Sequence, residues 1–151
     1  MKYLAIDPGV KAVGLAWRTA DWGGVRPILV NCYQIGSTEL REVLLHAHRS
    51  GCTHAVIEQP IGYGSVRAAF KLCEARGRLV EACERTGLIV VGLHVSTWQA
   101  AMLGKDRKGR TKELSIMSAK SLGVDTDDDN EADAVNILVY AELNELGEED
   151  A

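Results

Sequence analysis

MKYLAIDPGVKAVGLAWR (residues 1–18) holds two short apolar runs, KYLAID (2–7) and AVGLAWR (12–18), joined by PGVK. A Pro-Gly turn between two such runs predicts a β-hairpin. RPILVNCYQI (26–35) adds a third strand after the loop TADWGG, which makes an antiparallel meander. From Ser37 the period becomes helical, with Leu40, Val43, Leu44 and Ala47 at the i, i+3, i+4, i+7 spacing and Gly51 closing the segment. THAVIE (53–58) reads as a fourth strand, 66–86 as a long helix ending at Gly87, and LIVVGLHV (88–95) as a buried fifth strand. A short helix opened by Ser96, a basic loop GKDRKGR, a helix over 111–122 and a last helix starting near Asn130 complete the chain. This order predicts an α/β protein: a mixed five-stranded sheet, with a three-strand antiparallel meander plus parallel strands, flanked by helices.

The 151 residues suit one domain, 1–151, with a sizeable core. No apolar run approaches the ~18 residues of a spanning helix, and the N-terminus lacks the apolar core of a signal peptide. A cytoplasmic protein without a membrane partner is expected. Cys32, Cys52, Cys73 and Cys83 form no CxxC pair and do not cluster with the histidines, so structural zinc and a disulfide framework are not expected, and buried free thiols are. The net charge of −4 hides an asymmetry. All 17 Lys and Arg precede residue 125, against 10 acids, whereas residues 125–151 carry 11 acids and no Lys or Arg. A basic body with an acidic tail segment is compatible with a nucleic-acid partner.

Three carboxylates stand out. Alternation in the first strand puts Leu4 and Ile6 on one face and Ala5 and Asp7 on the other, so Asp7 ends a buried strand just before Pro8-Gly9. A turn-forming Asp needs no further role there. Glu58 closes THAVIE in the same manner; burying it unpaired is expensive, so it either sits exposed at a frayed strand end or faces a cation. VDTDDDNEADAVNI (124–137) sets six carboxylates between Asp125 and Asp133 ahead of an apolar helical pattern. Asp133 can share a helix face with Asp129 or Asn130. Read alone, acids and Asn here are the expected N-terminal cap of a helix, and Asp125, Asp127 and Asp128 are a solvated approach to it. Together, two strand-end carboxylates and one at a helix start form an oxygen-donor set suited to Mg2+ or Mn2+.

AIDPGVKAVGLA (5–16), AVIEQP (55–60), FKLCEARGRLVEA (70–82), STWQAAMLG (96–104) and NEADAVNI (130–137), in this order, resemble the RuvC family of Holliday-junction resolvases, on an RNase H-like fold, in a compact phage-type form. The resemblance implies a magnesium-dependent, homodimeric endonuclease of four-way DNA junctions, acting in recombination or repair. It would hold two Mg2+ ions, with Mn2+ able to substitute. It places acidic ligands on Asp7, Glu58 and Asp133. The family has Asp or His three before the last ligand; here that residue is Asn130, which can ligate but cannot act as a base, so either Asn130 or Asp129 completes the set.

Substrate contacts are expected from two segments. Lys105, Arg107, Lys108, Arg110 and Lys112 form a basic run facing the predicted site, with Lys112 matching a basic residue that the family keeps near its catalytic centre. The loop QPIGYGS (59–65) lies where the family probes the junction, with Ile61 at the matching position and Tyr63 two residues on. Lys112 would offset phosphate charge, or activate water if its pKa is lowered. Two other readings stay open: an RNase H-like nuclease of RNA or other DNA structures, and a junction-binding protein that does not cleave.

Overall fold

The structure, a computed structural model, describes residues 1–9, 12–19, 25–31, 38–59 and 65–147. Strands β1 (Tyr3–Pro8), β2 (Ala12–Arg18) and β3 (Val25–Asn31) form the meander, and β4 (His54–Gln59) and β5 (Ile89–His94) extend it. The sheet order is β3-β2-β1-β4-β5, with β1/β2 and β2/β3 antiparallel and β1/β4 and β4/β5 parallel. Helices α1 (Thr38–Arg49) and α2 (Val66–Thr86) cover one face; α3 (Val95–Leu103), α4 (Thr111–Ser121) and α5 (Asp129–Leu143) cover the other. The mixed α/β sheet expected from the sequence is therefore the one observed.

Period-two alternation sorts the two cores. Leu4, Ile6, Ala55 and Ile57 pack with Leu40, Leu44, Leu79 and Cys83, beneath α1 and α2. Tyr3, Ala5, Val56, Val91 and Leu93 pack with Trp98 and with Ala134, Val135, Ile137, Leu138 and Ala141 of α5. No helix among the described residues is long and apolar enough to cross a membrane.

Local chemistry sets the element ends. Ser65 caps α2 by accepting from the Ala68 N–H, and Gly87 closes it in the left-handed conformation at φ 89°. The third helix departs from expectation: it begins at Val95, directly off β5, with His94 at the cap position and no side-chain cap hydrogen bond. Ser96 therefore lies inside α3 and does not open it. Strand β3 ends, among the described residues, at Asn31, and 32–37 lie outside them. The thiols also divide: Cys52 and Cys83 are buried, Cys73 is exposed, and Cys32 lies outside the described residues.

The seat of α5 depends on Gly14. A Cβ built there would lie 2.0 Å from the Asn130 carbonyl oxygen. Any larger residue pushes the first turn of α5 off β2, and Gly14 pairs with Asp7 in the β1/β2 register. Gly14→Ala is expected to destabilise the chain by about 2 kcal/mol or more, the scale of overpacking against backbone. Urea denaturation measures this; an unchanged midpoint would contradict so close a seating.

Candidate metal centre

In the parallel register Ile6 pairs with Ile57, so Asp7 and Glu58, one residue further on, are neighbours on adjacent strands about 4.8 Å apart. Both point to the α5 face, following Ala5 and Val56 respectively, and both are 7% exposed. Glu58 is not at a frayed end: it pairs with Leu93 inside the ladder, and β4 continues to Gln59. The first turn of α5 crosses β1 and β2 above them and brings in Asp133.

The acidic run preceding α5 divides by partner. Asp128 is the N-cap, accepting from the N–H groups of Asn130 at 2.9 Å and Glu131 at 3.0 Å. Its expected place in a solvated approach is thus corrected: one carboxylate oxygen meets two of the helix's unpaired amides. Asp127 pairs with Lys120 at 2.5 Å, and Asp125 is exposed. Glu131 accepts from the Thr126 hydroxyl at 2.6 Å. Asp129 pairs with Lys112 at 2.5 Å, whereas the Asn130 Oδ1 lies toward the β1–β2 turn, 2.8 Å from a Cβ built on Gly9.

Burial and mutual repulsion act on the three central acids. Burial holds Asp7 well above the usual carboxylate range, with Glu58, Asp133, Asp129 and Asp128 adding repulsion in that order. Burial pushes Glu58 up to about 7, opposed by the Trp98 hydrogen bond and reinforced by Asp133. Burial likewise pushes Asp133 up to about 6; the Ser115 hydrogen bond and Lys112 lower it, while Asp129 and Asp128 raise it. Lys112 is held above its ordinary value by its hydrogen bond to Asp129. The lowered pKa that a basic role for Lys112 requires is therefore not met in this arrangement.

Two groups hold these acids from behind. The Trp98 indole N–H donates to Glu58 Oε2 at 2.8 Å, with Trp98 fully buried, and the Ser115 hydroxyl donates to Asp133 Oδ1. Neither was foreseen. Trp98 lies in a stretch that resembles the family, but nothing in the spacing of STWQAAML says that its nitrogen turns toward the end of β4.

The donor chemistry fits a hard divalent cation: buried carboxylates from two strand ends, a half-buried one from a helix start, and no counter-charge for Asp7 and Glu58 among the described residues. The side chains are not gathered into a ready-made cage, because no group of three or more such ligands among the described residues has cation-binding geometry. Of the basic run, Arg110 pairs with Glu113 at 3.0 Å and Arg107 donates to the Gly104 carbonyl at 2.9 Å. Lys105 and Lys108 are exposed, without an ion pair among the described residues, in the loop leading into α4. Ile61 and Tyr63 lie outside the described residues.

A five-stranded mixed sheet with a leading antiparallel meander and helices on both faces is the RNase H-like fold. Two solved structures of Thermus thermophilus RuvC have it in common with this chain. One, RuvC in complex with a Holliday junction substrate, has a TM-score of 0.66 at 19% identity, covering 95% of this chain and 96% of that one. The other has a TM-score of 0.68 at 21% identity, covering 95% and 97%. The fold is therefore RuvC-like over nearly its whole length. No family model and no curated protein sequence matches the chain.

Proposed function

We propose that the chain is a magnesium-dependent endonuclease that nicks four-way or otherwise branched DNA. The observation that carries this reading is the meeting of Asp7, Glu58 and Asp133 at one end of a RuvC-like sheet. These three would hold one or two Mg2+ or Mn2+ ions, with Asp129 or Asn130 completing the set. Bound there, the ions supply Lewis-acid stabilisation of the attacking and leaving oxygens of a phosphodiester. The chain's own part is to hold three mutually repelling carboxylates near one another and to present Lys112 beside Asp133 as a fixed positive charge. Lys105 and Lys108, both exposed, would meet backbone phosphates, which position a duplex without reading its sequence.

A homodimer fits the surface of α2. Val66 and Phe70, 74% and 71% exposed, lie with Cys73 and Gly77 at i, i+4, i+7 and i+11 along one face. A two-fold pair of chains joined there would address two strands of a junction.

The test is nicking of a synthetic four-way junction, a linear duplex and an RNA–DNA hybrid, each with Mg2+ and with EDTA. Magnesium-dependent cleavage favouring the junction is expected. Preference for the hybrid would move the assignment to an RNA-directed nuclease, and junction binding without cleavage to an architectural protein.

A further inference from the structure

Asn136 is fully buried in a helix whose neighbours Ala134, Val135, Ile137 and Leu138 are all fully buried and apolar. An amide here must be hydrogen-bonded or it costs stability, and a leucine would fill the space without that demand. Its partners are Ala132, one turn back in α5, and Ser115 and Ser118 across the α4/α5 contact. The two N–H bonds of Asn136 Nδ2 are shared among the Ser115 Oγ at 2.9 Å, the Ser115 carbonyl at 3.1 Å and the Ala132 carbonyl at 2.8 Å. The two carbonyls can only accept, which fixes the amide nitrogen on their side, and the Ser118 hydroxyl donates to Asn136 Oδ1 at 2.6 Å.

This network has a direction. Because the Ser115 Oγ already accepts from Asn136, its one hydrogen is free to go to Asp133 Oδ1, the contact the structure has. The chain Ser118 to Asn136 to Ser115 to Asp133 then occupies one oxygen of Asp133, an acid close enough to repel both Asp7 and Glu58. We infer that Asn136 and Ser115 are positioning residues that hold the Asp133 carboxylate in its cation-binding orientation. The inference rests on the metal reading above and adds to it residues that touch neither ion nor DNA. Partners behind a ligand typically contribute 10–100-fold in metal affinity.

The test is Mn2+ binding to the full chain without DNA, followed by electron paramagnetic resonance, for wild type, Ser115→Ala, Ser115→Thr and Asn136→Leu, with melting temperatures alongside. Ser115→Ala and Asn136→Leu are expected to weaken Mn2+ binding about tenfold or more, while Ser115→Thr, which keeps the hydroxyl, retains it. Full Mn2+ affinity in a folded Ser115→Ala chain overturns the positioning role and leaves the metal centre standing. Absence of Mn2+ binding by wild type overturns the metal centre itself, and the positioning role with it. Should Asn136→Leu fail to fold, the Ala and Thr pair at 115 decides alone.

Discussion

Asp7→Asn is expected to lower magnesium-dependent junction nicking by on the order of a thousandfold. The substitution keeps the size and one carbonyl oxygen, but removes the charge of one of the two buried strand-end acids. Charge stabilisation by a bound ion is worth several kcal/mol, and each ~1.4 kcal/mol is tenfold in rate. The loss would not come from unfolding. Asp7 is repelled by Glu58 and Asp133, so neutralising it relieves both. Melting in EDTA checks this: the variant should be at least as stable as wild type at pH 8. Equal cleavage by variant and wild type would remove Asp7 from the mechanism.

Glu58→Gln is expected to stabilise the metal-free chain at pH 8 while abolishing cleavage. Glu58 has its ordinary value of 4.5 in the unfolded chain and about 7 in the fold, so between these the folded state binds more protons. Stability is then highest below about pH 4.5 and falls as the pH rises through 7. Asp133, raised from 3.8 to about 6, acts in the same sense. At ~1.4 kcal/mol per pKa unit the Glu58 contribution reaches roughly 3 kcal/mol, shared in part with Asp133. Wild type in EDTA should therefore melt roughly 5–10 °C lower at pH 8 than at pH 5, at ~2–4 °C per kcal/mol for this size. Glu58→Gln should flatten that slope, since its amide oxygen still accepts from Trp98. A lower melting point for Glu58→Gln than for wild type at pH 8 would contradict the burial of a charged Glu58 and its repulsion by Asp133.

Much of this centre is legible in the chain because it rests on local periodicity. Alternation along KYLAID and THAVIE places Asp7 and Glu58 on the same face as Ala5 and Val56, and the apolar spacing after Asp133 orients α5. The cap was not legible in the same way. Asp125, Asp127, Asp128, Asp129 and Asn130 are all cap-competent in the sequence, and the cap in the fold is Asp128. Trp98 and Ser115 escaped because their hydrogen bonds span 40 and 18 residues and depend on how helices pack. Asn136 did leave a signal, one polar residue amid AVNILV, which periodicity alone treats as noise.

Anomalous scattering from crystals of the chain soaked in Mn2+ locates the ion. A metal centre at the ends of β1 and β4 gives a peak among the carboxylates of Asp7, Glu58 and Asp133, with Asp129 or Asn130 as a further ligand. Density confined to Asp125 and Asp127, or none between the ends of β1 and β4, would contradict it.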